Sequence, residues 1–174
     1  MAERVERIAI FIDGANFFFM QKDRLHWWID PKLLLDYIKN RFGEVTEANY
    51  YVAVDPENPK SDNYHKALTH MGFTLCTKPL ITIQSDKGER RKANLDAEIV
   101  HDMLVSMNNY DRAILLSGDA DFEKVLNTIK SRGKRFTVLS TQGFVSREIR
   151  SLAGMNFIDF ETIREEVEKE QSED

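Results

Sequence analysis

The sequence predicts an α/β fold with a mostly parallel central sheet. Three observations carry this expectation. Short apolar runs such as "IAIFI" (8–12) have the length and composition of strands buried on both faces. Amphipathic stretches of helical period stand between such runs, so that strands and helices alternate along the chain. Two of the runs, in "IFIDG" and "LLSGD", end in a small turn that carries an acid. In open parallel sheets ligands bind beyond the carboxyl ends of the strands, where strand order reverses.

The elements follow in order. "RIAIFID" is the first strand, and Asp13-Gly14 is its turn. "DPKLLLDYIKNRFG" is a helix, with Asp30 as N-cap, Pro31 at the first helical position and Gly43 beyond its end. "ANYYVAV" (48–54) is a strand, followed by a polar loop and a helix that stops at Gly72. "FTLCTKPL" (73–80) is a third strand, and residues 82–94 form a polar loop or hairpin. The helix from about Leu95 to Met107 sets its apolar stripe at Leu95, Ile99, Val100, Met103, Leu104 and Met107. "RAILLSGD" (112–119) repeats the pattern of the first strand. The helix "FEKVLNTIKSRG" leads to the strand "RFTVLST" (135–141), a short helix near 146–153 and a short strand at 157–160. One domain is expected over 1–160, with a charged helix and acidic tail over 161–174. There is no internal repeat and no flexible linker.

Bulk properties narrow the function classes. With 174 residues, 42% of them hydrophobic, the chain can bury a real core. The single cysteine, Cys76, excludes an internal disulfide framework and is expected to be an inert buried thiol. Neither a signal-peptide pattern nor an apolar run of about 20 residues is present, so a soluble, cytoplasmic protein without membrane contact is expected. The net charge of −5 argues against a dedicated nucleic-acid coat, but not against an enzyme that touches a few phosphates. Basic clusters at 87–92 and 130–135 stand against the acidic tail, and each also fits a solvated loop or helix end.

The acids carry the chemistry. Asp13, Asp119 and Asp121 converge on one sheet edge if their strands are neighbours. Asp96 shares a helical stripe with Val100, Met103 and Met107, which turns it toward the strand ends. Each has a plainer role available. Asp13 fits a turn, Asp96 fits the dipole of a helix capped by Asn94, and Asp119 or Asp121 fits the N-cap of the helix at Phe122. Together they are harder to dismiss. Two carboxylates about 4 Å apart repel by roughly 4 kcal/mol at an effective dielectric of about 20. The turns "IDGAN" and "SGDAD" hold no Lys or Arg to offset this. A divalent cation does, and an all-oxygen donor set favours Mg²⁺ or Mn²⁺ over zinc.

Other residues are assigned more plainly. Ser117 either bonds a ligand carboxylate or is a turn hydroxyl. Phe17, Phe18 and Phe19 are expected to pack beneath the site. Trp27 and Trp28 either stack on bases or divide between core and surface. His65, His70 and His101 have no ligand-like spacing and are expected on the surface or a helix face.

The segments "IFIDGANF", "KANLDAEIVHDML" and "LLSGDADFEKVLNTIKSRGKRFTVLS" resemble, in order and spacing, the signature segments of the NYN family of PIN-like nucleases, here its LabA-like branch. The resemblance runs from about Ile8 to Phe160. It implies a Rossmann-like, three-layer α/β/α fold and metal-dependent hydrolysis of RNA. The family's acids fall on Asp13, Asp96, Asp119 and Asp121, its amide on Asn16, and a second acid of the helical motif on Asp102. One departure is the spacing of Lys92-Ala93-Asn94-Leu95-Asp96, where the family usually has Lys-Gly-Val-Asp. Asp13 and Asp119 are expected as direct metal ligands, and Asp96 and Asp121 as direct or water-mediated ones. Asn16 cannot serve as a base, so it orients Asp13 or a phosphate. Lys87, Arg90, Arg91 and Lys92, with Arg147 and Arg150, are the expected contacts to single-stranded RNA, weak and blind to sequence. The competing function is a non-catalytic module that binds RNA or a protein partner. A homodimer stays open.

Overall fold

A computed structural model describes residues 4–58 and 61–170, with the side chains of Arg90 and Lys92 outside the described set. Its centre is a six-stranded sheet in the order β3-β2-β1-β6-β7-β8. These are β1 (Arg7–Asp13), β2 (Glu44–Val54), β3 (Thr74–Pro79), β6 (Arg112–Leu116), β7 (Arg135–Ser140) and β8 (Phe157–Asp159), and every neighbouring pair is parallel. β4 (Ile81–Ser85) and β5 (Gly88–Lys92) form a separate antiparallel hairpin, which resolves the loop-or-hairpin alternative at 82–94.

The alternation of β1 explains the three layers. Ile8, Ile10 and Ile12 face a core shared with α1 (Gly14–Phe19), α2 (Pro31–Phe42) and α3 (Asp62–Met71). Ala9 and Phe11 face the opposite core, built from α4 (Asp96–Val105), α5 (Glu123–Ser131) and α6 (Arg147–Ala153). A strand apolar on both faces needs cover on both. Asp30 caps α2 by accepting from the Lys32 and Leu33 N–H groups, and α3 ends at Gly72 in the left-handed conformation. Both ends follow the sequence.

The expected charged C-terminal helix is α7 (Arg164–Val167), and the last four residues of the expected acidic tail, 171–174, lie outside the described residues. Ile163 and Val167 enter the core beside α2. At the amino end of the sheet the Arg7 guanidinium forks onto Asp111 at 3.0 and 3.1 Å and holds that carboxyl well below its usual range. Among the described residues no helix is long and apolar enough to cross a membrane.

One segment departs from expectation. Residues 14–25 form α1 and then a π-helical turn over Met20–Leu25, where no helix is evident from the sequence. As the chain winds, Phe17 enters the core while Phe18 and Phe19 stay exposed, so only the first of the three packs beneath the strand ends. Trp27 is buried and Trp28 exposed, which divides that pair between core and surface. Cys76 is half-buried rather than buried, and burial pushes its thiol up. His65 is buried on α3, whereas His70 and His101 are exposed.

Candidate functional site

The chain visits β2 and β3 on one side of β1 and then returns to place β6, β7 and β8 on the other. Strand order therefore reverses between β1 and β6, and a crevice at that point is the expected ligand site of an open parallel sheet. β1 ends there in Asp13, and the turn after β6 carries Asp119 and Asp121.

Asp13 closes β1 and is nearly buried. One of its oxygens accepts the Asn16 backbone N–H at 3.2 Å, which makes it the N-cap of α1. The other accepts the Ser117 hydroxyl at 3.0 Å. Burial pushes the Asp13 pKa up to about 6, these two bonds oppose the rise, and the charges of Asp96 and Asp119 add to it. Ser117, just past β6, also accepts the Asp119 N–H at 3.2 Å. Asp119 in turn caps the following turn by accepting from the Asp121 N–H at 3.0 Å. The plainer roles in turns and caps are thus real, and they coexist with the cluster.

Asp96 arrives from the other direction, in the first turn of α4. Its N–H donates to the Asn94 side chain at 2.8 Å, a local turn just before α4, whose N-cap residue is Leu95 rather than the expected Asn94. Asp96, Asp119 and Asp121 bring carboxylate oxygens within 4.8 Å of one another. Asp13 lies alongside, close enough for its ionisation to feel two of the three. A set of carboxylate oxygens with no sulfur or imidazole fits a hard divalent cation of the Mg²⁺ or Mn²⁺ type.

Two features of the frame are not evident from residue type alone. The Asn16 side-chain oxygen accepts the Gly118 N–H at 3.0 Å, so this amide ties the β1 turn to the β6 turn. Gly14 and Gly118 are needed for space. A Cβ at Gly14 would strike the Tyr51 carbonyl, and one at Gly118 would lie 2.7 Å from the Val145 Cα.

The remaining expected site residues divide. Asp102 stands further along α4, where it accepts the Tyr51 hydroxyl at 2.8 Å and pairs with His101 at 3.0 Å. It supports the β2–α4 packing and is not in the carboxylate group. Arg91 is held by Asp55 at 2.7 and 2.8 Å, which pins the hairpin to the end of β2. Arg150 lies over the Phe157 ring at 4.6 Å and donates to the Gly154 carbonyl, on the β8 side of the molecule. Lys87 and Arg147 are exposed. The expectation for Arg90 and Lys92 falls on side chains outside the described residues.

Known proteins are similar to this chain in fold and in sequence. A crystal structure of a protein of unknown function from Vibrio parahaemolyticus superposes with a TM-score of 0.81 at 26% identity, covering 97% of this chain and 99% of that one. The low amplitude and bright protein LabA of Synechococcus elongatus is 38% identical over 174 residues, which span 97% of this chain and 91% of LabA. The match of the NYN domain family model runs over residues 7–164, from the first residue of β1 to the first of α7 and across all four acids, so the chain belongs to the NYN domain family.

Proposed function

We propose that the protein is a metal-dependent ribonuclease that hydrolyses phosphodiester bonds over the carboxyl ends of β1 and β6. One observation carries the reading: the carboxylate oxygens of Asp96, Asp119 and Asp121 gather within 4.8 Å at the switch point of the sheet. Unscreened, such a group is self-repelling, and a bound cation removes the conflict. Family membership supports the same reading, because the PIN-like nucleases that these motifs resemble cleave RNA.

Asp96, Asp119 and Asp121 would hold Mg²⁺ or Mn²⁺, with Asp13 beside them as a further ligand. The ion, when bound, lowers the pKa of a coordinated water and neutralises charge on the phosphoryl oxygens. The chain's own residues keep the acids in place. Ser117 and the Asn16 N–H hold both oxygens of Asp13, and the Asn16–Gly118 bond locks the two turns together. Among the described residues, the exposed Lys87 and Arg147 are two of the cations that would contact an RNA backbone. With Arg91 and Arg150 engaged elsewhere, such binding is weak, salt-sensitive and indifferent to sequence.

The test is incubation of the purified protein with RNA and DNA oligomers in Mn²⁺, Mg²⁺ or EDTA. Metal-dependent cleavage of RNA, lost in Asp119→Asn, is the expected result. Intact RNA in both metals would remove the nuclease reading.

A further inference from the structure

A concave slot of about 470 Å³ opens among α1, α2, α3 and β2, with Tyr50 standing between it and the turn that carries Asp13. Tyr50 forms its inner wall, and the edge of that ring lies 3.0 Å from where a Cβ on Gly14 would stand, one residue from Asp13. The Tyr50 phenol also feels the Asp13 charge. The outer walls are Phe18, Trp28 and Tyr64, which are 45%, 48% and 45% exposed. The Phe18 and Trp28 rings lie 5.7 Å apart at 40°, and the Tyr64 hydroxyl reaches that of Tyr50 at 3.5 Å.

Three large aromatic rings left in water around one concavity mark a contact surface, since scattered exposed residues would not converge. Several features indicate the occupant. The volume falls in the range of sites that take a small molecule, enough to admit a nucleobase with its sugar. Flat aromatic walls suit a flat π-system. Lys169 stands at the rim, its backbone N–H bonded to the Trp28 carbonyl, and offers a positive charge to a phosphate, while the Asp30 carboxylate that also lines the slot accepts from the Lys32 and Leu33 N–H groups. Gln21, the amide that lines the slot, is already committed. Its nitrogen donates to the Phe17 carbonyl at 3.1 Å and its oxygen accepts the Ile29 N–H at 2.7 Å. The slot can therefore stack a base while its one amide has no spare edge to read it.

We infer that this slot holds one unpaired nucleobase of the strand whose phosphate lies over the Asp cluster, with stacking on Trp28 and Phe18 and no selection among bases. The inference rests on the RNA reading above and gives the expected single strand a seat for one base, since a paired base is not free to enter the slot.

Binding to metal-free protein in EDTA tests the slot without cleavage. Fluorescence anisotropy of an end-labelled single-stranded oligoadenylate reads the affinity of every variant, and in wild type quenching of tryptophan emission reports Trp28, because Trp27 is buried. Trp28→Ala and Phe18→Ala are each expected to weaken binding by about tenfold, within the range that stacking of one base supplies. Trp28→Phe is expected to keep most of the affinity, and its melting temperature controls for folding. A base-free ribose-phosphate strand of equal length should bind wild type about as weakly as oligoadenylate binds Trp28→Ala. Wild-type affinity in both alanine variants, as expected for a slot that serves a protein partner, would overturn the inference. The two readings fail separately. Cleavage with no effect of Trp28 removes the slot alone, and slot-dependent binding with no cleavage in any metal removes the nuclease alone.

Discussion

The Ser117 hydroxyl donates to a carboxylate oxygen of Asp13 at 3.0 Å, across the junction of β1 and β6. The same oxygen atom of Ser117 accepts the Asp119 N–H at 3.2 Å. One buried hydroxyl therefore links the two acidic turns. Ser117→Ala leaves the Asp13 oxygen without this donor, and an unpaired buried acceptor costs about 1–3 kcal/mol. A lower melting temperature in EDTA is expected, with a smaller loss when the change is made in Asp13→Asn. Equal losses in the two backgrounds would show that the pair is not coupled.

The raised pKa of Asp13 sets the sign of its pH dependence. Its ordinary value is 3.8 and burial lifts it to about 6 in the folded chain. Well below pH 3.8 the group is protonated in both states and costs nothing. Between 3.8 and about 6 the unfolded chain ionises first, so stability is lost as pH rises through that window. The full loss, present above it, is on the order of 3 kcal/mol. Asp13→Asn should therefore be more stable than wild type at pH 7.5 in EDTA, and near wild type at pH 4. Parallel curves of melting temperature against pH for the two proteins would contradict the assignment.

Metal and stability are linked through the same acids. An ion that binds only the folded cluster adds about 2.7 kcal/mol at a hundredfold excess over its Kd. Mn²⁺ should raise the melting temperature of wild type. Asp119→Asn should abolish most of the rise while leaving the metal-free protein folded, because asparagine caps a helical turn as well as aspartate does. An undiminished Mn²⁺ shift in the variant would show that the ion binds elsewhere.

What could be seen in the sequence was local. Asp30-Pro31 and Gly72 mark helix ends by capping chemistry, and the apolar run before Asp13 marks a buried strand. Convergence of Asp13 with Asp119 was legible only on the condition that their strands adjoin, and tertiary strand order supplies that. The run Phe17-Phe18-Phe19 has no helical period, so the turn into a π-helical segment that exposes two of the three is invisible. For Asp102, Arg91 and Arg150 the sequence leaves the partners within the fold out of view. Each is claimed by a partner that residue type does not reveal: Tyr51, Asp55 and the Phe157 ring.

Gly118 offers a test of whether spacing, as well as charge, builds the site. A Cβ there would stand 2.7 Å from the Val145 Cα, 3.1 Å from the Ser140 hydroxyl and 3.2 Å from the Phe144 carbonyl. Two of these three are backbone atoms that cannot rotate away. The Ser146 N–H also donates to the Gly118 carbonyl at 2.8 Å, so the turn after β6 is pressed onto the loop before α6. In Gly118→Ala the turn must move out or the loop must yield, at a cost of about 1–3 kcal/mol. Outward movement would also draw the Gly118 N–H from the Asn16 oxygen, 3.0 Å away, and loosen the register between Asp13 and Asp119. Thermal denaturation in EDTA should show the loss of stability, and calorimetric titration should show weaker Mn²⁺ binding although no acid has been changed. Wild-type values in both measurements would mean that the close approach at Gly118 does not position the cluster.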